Sequence, residues 1–157
     1  MRLGGQNRSR VTAATADTTP VTISRINPDG LHHTPGYHHV TLVSSGKTAY
    51  LAGQCPLDQA GEVVGSGDVL AQVDQVVENT RRALASVGAT PEGVVRTVIY
   101  VTDDADRTLG DVWRRLLESP LAPAFTTAST LVGVSRLGFP GQLIELDVTA
   151  ALSDPAT

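Results

Sequence analysis

The sequence predicts an α+β domain, with two helices laid on one face of a mixed β-sheet and elements in the order β-β-β-α-β-α-β-β. Three features predict it. Residues 21–52 alternate apolar and polar side chains between turn signals, and residues 68–88 switch to apolar spacings of three and four. Residues 94–102 are a β-branched run, followed by a second helical stretch and two further strands.

Taken in order, Val21 to Ile26 alternates as a half-buried strand and ends at the turn Asn27-Pro28-Asp29-Gly30. After a polar loop, Tyr37 to Val43 reads as a second strand. Ser44-Ser45-Gly46-Lys47 has hairpin chemistry, and Thr48 to Ala52 returns as the third strand. Pro56 ends that strand because it has no N–H for a ladder. In the first helix Leu70, Val73, Val77, Thr80, Leu84 and Val87 share one face, with Asp68 as N-cap and Gly88 just past the C-terminus. Gln72, Gln75, Glu78, Asn79 and Arg82 form the opposite, solvated face. Asp103, Asp104 and Asp106 offer caps for the second helix, in which Leu109, Trp113, Leu116 and Leu117 turn inward. A stiff linker from Ser119 to Pro123 leads to strands over Phe125 to Val134 and Leu143 to Leu152, separated by Gly138-Phe139-Pro140-Gly141.

A sheet covered on one face only leaves the alternate residues of several apolar strands without a partner, so self-association is expected. Residues 21–154 fit one domain. Residues 1–20 carry three arginines and one acid without apolar periodicity. They read as a disordered leader or a stretch ahead of the true start codon, with a transit peptide the weaker alternative.

Composition narrows the function. Of 157 residues, 41% are hydrophobic and 18% charged, and the net charge is −4. Past residue 20, nine cations face fifteen acids, which argues against a grip on a nucleic-acid backbone. No apolar run approaches the roughly 20 residues of a membrane span, so a cytoplasmic location is expected. Cys55 is the one cysteine, leaving neither an internal disulfide nor a multi-cysteine zinc site. Lys47, the one lysine, lies in a turn and is poorly placed for Schiff-base chemistry. Neither a phosphate-binding glycine fingerprint nor a Gly-x-Ser-x-Gly elbow is present.

The residues left to carry chemistry are few. His32, His33, His38 and His39 crowd into eight positions, but His38 and His39, adjacent on an expected strand, would point to opposite faces and could not chelate one ion. They read as loop or interface histidines, one of which could serve as a general base because imidazole titrates near neutrality. In Leu143-Ile144-Glu145-Leu146-Asp147-Val148 the two acids share a face opposite the apolar residues. That face is either solvent or an interface cleft in which Glu145 moves a proton. Cys55, before a proline and with no cation beside it in sequence, reads as a small hydrophobe rather than a nucleophile.

Taken together, several blocks resemble the Rid (reactive intermediate deaminase) family, formerly YjgF. They are Arg25-Ile26-Asn27-Pro28, Gly36-Tyr37, Tyr50 to Asp58 (YLAGQCPLD), Val94 to Asp103 (VVRTVIYVTD), Ser129 to Val134 (STLVGV) and Leu143-Ile144-Glu145-Leu146. The resemblance spans about residues 21–152. It implies a chorismate-mutase-like fold, a homotrimer whose sheets enclose a central barrel, and ligand clefts between subunits. It further implies hydrolysis of reactive enamines and imines to ketoacids and ammonia without metal or organic cofactor. The arginine that pairs with a substrate carboxylate in deaminating members is matched here by Ser129, within Ala128-Ser129-Thr130. The family's water-positioning glutamate matches Glu145 and its cleft tyrosine Tyr37; the serine before Gly-Gln is Ala52 here, and Cys55 fills a position more often aliphatic.

Loss of a charge-assisted fork costs about 2–4 kcal/mol for a buried carboxylate, or roughly two to three decades in binding. Arg136, in the following segment, could in principle reach back to compensate, but strand geometry does not predict it. The expected function is therefore a Rid-like enzyme processing a small imine, enamine or related electrophile without a free carboxylate. Glu145, Ser129 and Tyr37 would be its catalytic residues, with Thr130, His38, His39, Ala52, Cys55 and Arg136 around the substrate. The alternative is a non-catalytic small-molecule binder or chaperone-like trimer. Endoribonuclease activity is the weakest reading, because an acidic chain with six Phe, Tyr and Trp residues offers few stacking platforms.

Overall fold

The computed structural model describes residues 21–103 and 106–152. It contains β1 (Ile23–Ile26), β2 (Val40–Val43), β3 (Lys47–Tyr50), α1 (Val69–Ser86), β4 (Val94–Val101), α2 (Asp106–Leu117), β5 (Ala128–Gly133) and β6 (Ile144–Leu152). The predicted element order and α+β class hold. The strands fall in two sheets, an antiparallel β1–β2 ribbon and a four-stranded mixed sheet ordered β3-β6-β4-β5, in which only β4 and β5 run parallel. The expected leader at 1–20, Asp104 and residues 153–154 lie outside the described residues. No described helix is long and apolar enough to cross a membrane.

β6 occupies the sheet interior, antiparallel to β3 on one side and β4 on the other. Its pleat sends Ile144, Leu146, Val148 and Ala150 into the core, where they meet Ile99 and Val101 of β4 and Val73, Val76, Val77 and Leu84 of α1. Val112 and Leu116 of α2 and Phe125 close the same core. The opposite face carries Glu145, Asp147 and Thr149 with Tyr100 of β4, and it leaves Tyr50 82% and Val132 36% exposed. The helices thus cover one face, as the alternation predicted.

Helix α1 starts where expected, since the Asp68 carboxylate accepts from the amides of Leu70 and Ala71 at 3.0 Å. Its faces differ from the expected division. Leu70 and Val87 are 37% and 46% exposed, whereas Gln72 is fully buried. The Gln72 amide donates to the carbonyls of Gly65 (3.2 Å) and Gly141 (2.8 Å) and accepts from the Leu143 amide at 2.7 Å. A residue assigned to solvent by helical spacing is instead the clamp that joins two loops, because its carboxamide supplies two donor bonds and one acceptor at that point.

Three further expectations are corrected. β2 and β3 do not pair, because Ser44 instead extends the first ribbon: its amide donates to the Thr22 carbonyl (3.1 Å) and its hydroxyl accepts from the Thr22 amide (3.0 Å). At Gly46 the backbone has φ +110° and a Cβ would lie 2.2 Å from the Val21 side chain, so the chain crosses between sheets where only glycine fits. The second strand begins at Val40 rather than Tyr37. The strand expected from Phe125 begins at Ala128, because Ala122–Thr126, containing Pro123, forms a 3-10 turn with Phe125 pressed into the core.

Replacing Gln72 by leucine strands buried loop carbonyls and the Leu143 amide. Chemical denaturation is expected to show a loss of about 2–4 kcal/mol. A change within about 0.5 kcal/mol would place Gln72 back on a solvated face.

Candidate functional site

The residues singled out by sequence fall into two groups on opposite sides of the sheet. On β5, Ser129 lies beside Thr97, whose neighbours along β4 are the core residues Ile99 and Val101; on β6, Glu145 lies beside Tyr100 on the other face. The sheet itself separates Ser129 from Glu145.

Glu145 is held by the segment that follows β3. That segment stays on β6 through the Leu51 amide to Val148 O (3.0 Å) and a reciprocal pair between Gln54 and Leu146 (2.9 and 3.1 Å). Between these anchors Gly53 passes directly over the carboxylate, so closely that a Cβ would lie 1.9 Å from Glu145 Oε1. Buried Gln142, a residue that sequence reasoning missed, donates from Nε2 to Glu145 Oε2 (3.0 Å) and to Ile144 O (3.0 Å), while its own oxygen accepts from the Phe139 amide. The carboxylate is therefore fixed in position, and among the described residues no cation is bonded to it.

Cys55 lies next to Glu145. Burial, and after it the Glu145 charge, pushes its thiol up to about 11. At neutral pH it is a protonated, weakly polar wall and not a thiolate nucleophile. The carbonyls of Cys55 and Leu57 are in turn bonded by Asn79 Nδ2 of α1 at 3.0 and 2.9 Å, and Gln75 adds a 3.3 Å bond to Leu57 O. The polar face of α1 thus fastens the loop that carries Gly53 and Cys55. Exposed Ala52 borders this group, its carbonyl accepting from the Gln54 side chain at 2.8 Å. Burial and the neighbouring Asp147 charge also raise the Tyr100 phenol, whose hydroxyl points to Asp147 at 3.4 Å.

The second group surrounds a cavity of about 230 Å³ between α2 and β5. Leu109, Gly110 and Trp113 of α2, Ser129 and Leu131 of β5, and the loop residues Pro35 and Tyr37 line it. Ser129 Oγ accepts from Thr97 Oγ1 at 2.7 Å and faces the Thr127 carbonyl at 3.2 Å. Trp113 donates its indole N–H to Pro35 O (3.2 Å), and its ring meets Tyr37 edge-on at a 6.4 Å centroid distance. The Tyr37 hydroxyl pairs with His32 Nε2 at 3.1 Å. Sequence reasoning gave Trp113 to the core and did not single out Gly110; their three-residue spacing on one helix was the available signal.

The remaining candidates separate. His38 and His39 precede the strand instead of lying on it. His39 stacks edge-on with His32 and bonds its carbonyl, beside Tyr37, while His38 fastens the turn at Thr126 and Thr127. Thr130 sits on the open face, bonded to Arg96 at 3.0 Å. Exposed Arg136 borders a different depression, formed with residues 137–143, and does not line the Ser129 cavity. Among the described residues no three His, Cys, Asp or Glu side chains gather as a metal site.

The thiol of Cys55 provides a direct check. At pH 8 it is expected to react with iodoacetamide about two decades more slowly than free cysteine, with the rate still rising above pH 9. Glu145→Gln removes the charge that helps raise it and is expected to speed the reaction. A rate that levels off near pH 8.5 would refute the buried environment.

The sequence profile of the family described as Endoribonuclease L-PSP matches residues 31–152. Protein DfrA of Myxococcus xanthus is 36% identical over 103 residues, covering 64% of this chain and 79% of its own length. RutC family protein slr0709 of Synechocystis is 31% identical over 105 residues, covering 66% of this chain and 77% of its own. Among solved structures, the Rid-family protein YyfB of Yersinia pestis, described as of unknown function, superposes with a TM-score of 0.75 at 34% identity, over 83% of this chain and 98% of that one. With its α+β fold and this extent of match, the chain belongs to the Endoribonuclease L-PSP family, the Rid/YjgF proteins.

Proposed function

We propose that the protein hydrolyses a small imine or enamine lacking a free carboxylate, in a cleft that neighbouring copies of a homotrimer complete. The observation that carries this reading is the fixed carboxylate of Glu145, gripped by Gln142 and overlain by Gly53. A positioned carboxylate within reach of water is what imine hydrolysis needs from a protein without a cofactor. Water adds to the imine carbon while Glu145 takes one of its protons and passes it to the nitrogen. An enamine first takes a proton at carbon and loses one from nitrogen to become the imine. As the carbinolamine collapses, its hydroxyl proton passes to nitrogen, releasing ammonia and leaving the carbonyl product. Glu145 and the Tyr37–Ser129 cavity lie on opposite sides of the sheet, so a second copy is the economical way to bring one to the other. Ser129 and Tyr37 would border the substrate, and the lining residues include no cation to pair with a carboxylate.

Steady-state assays of purified protein against neutral imines and 2-iminopropionate test this, with Glu145→Gln alongside. The variant is expected to lose about 10²–10⁴-fold in kcat at unchanged assembly mass, and neutral imines are expected to be preferred. Undiminished turnover by Glu145→Gln removes the acid from the mechanism. A ligand-dependent rise in melting temperature with no turnover of any imine would favour the non-catalytic binder instead.

A further inference from the structure

We propose that the cavity between α2 and β5 is the subsite for an uncharged, apolar substituent of the substrate, a ring or branched alkyl group, and that Gly110 sets its size. This rests on the reading of that cavity as part of the substrate cleft, and it specifies the class of compound the cleft takes.

The polar atoms in the cavity wall are already engaged within the chain. The Ser129 hydroxyl is shared between Thr97 and Thr127, the Trp113 N–H goes to Pro35, and the Tyr37 hydroxyl to His32. What remains for a ligand is the apolar surface of Leu109, Leu131 and Pro35 and the two aromatic rings. An anionic group placed there would lose its hydration and gain no donor, whereas a hydrocarbon loses nothing. The volume of about 230 Å³ exceeds the roughly 150 Å³ that holds a benzene in an apolar protein cavity.

Gly110 needs a separate explanation. Glycine is among the poorest helix formers, and this one is inside α2. It is not among the glycines with positive φ, and a Cβ there would meet no atom within 4 Å. Neither backbone conformation nor close packing within the chain requires it. It does line the cavity, one turn from Trp113, so a larger side chain there takes up space at the cavity wall. The geometry therefore makes it a specificity-determining position.

Trp113 is the one tryptophan of the sequence, so its emission reports occupancy of this cavity without any need for turnover. Full-length protein is titrated with cyclohexanone, an uncharged cyclic carbonyl, and with pyruvate as its small anionic counterpart. Wild type is expected to give a saturable change with cyclohexanone at an affinity at least about tenfold above that for pyruvate. Gly110→Ala is expected to raise the melting temperature and retain the response. Gly110→Leu is expected to abolish it with circular dichroism and assembly mass unchanged. If Gly110→Leu fails to fold or assemble, Leu131→Phe fills the cavity from the β5 side and is expected to abolish the response in the same way. Pyruvate binding as tightly as cyclohexanone, or either filled variant responding as wild type does, overturns the proposal. Because the readout is binding, absence of imine turnover would defeat the proposed function and leave this result standing.

Discussion

The two-residue period of β6 is the constraint on which the rest of the molecule depends. With partners on both sides, the strand must satisfy a core on one face while presenting Glu145 and Asp147 on the other. A register slip of one residue would drive both carboxylates against Val73, Val76 and Leu116 and expose Ile144, Leu146 and Val148. Burying two unpaired carboxylates costs more than a marginally stable domain can absorb, so the same pattern that builds the core also aims the acid.

Neutral amides, rather than ion pairs, then hold the site together. Gln72 ties the 65 and 141–143 loops to α1, Gln75 and Asn79 tie the Cys55–Leu57 loop to the same helix, and Gln142 grips Glu145. An arginine in place of Gln142 would neutralise the carboxylate it positions, and an aliphatic residue would leave it free to rotate. An amide fixes geometry while leaving the charge available. The ion pair from Arg115 of α2 to Asp74 of α1, at 2.6 Å, lies on the surface, where such pairs contribute little.

These arrangements explain which features were legible in the sequence. Element order followed from periodicity: the Val94–Val101 run, the Asp68 cap and the β6 alternation are local signals, and each describes its element correctly. The pairing of elements was less legible. Ser44-Ser45-Gly46 carries hairpin chemistry, yet the Ser44 bonds to Thr22 send the chain to another sheet, a preference set by a partner twenty-two residues away. Helical spacing placed Gln72 in solvent because a polar side chain looks the same whether it meets water or two loop carbonyls. At the site, Glu145 was visible from its alternation. Gln142, Gly53 and Gly110 were not, since their roles lie in distances between segments and in space left empty.

If Glu145 and the Ser129 cavity act together as proposed, their separation by the sheet bears on how substrate preference changes. The α2–β5 cavity and the carboxylate are built on different faces, by different loops, and share no hydrogen bond that the described residues show. Substitutions in the cavity wall therefore leave the grip of Gln142 and Gly53 on the acid intact. The Ser129 hydroxyl is bonded to Thr97 and makes no contact with Glu145, so under the proposed function the side chain at 129 changes what the cavity accepts without touching the acid. Groups that share no hydrogen-bond partner and do not touch tend to act additively. Under the proposed function, chemistry at Glu145 and recognition in the cavity then vary independently, with the sheet between them as the insulating layer.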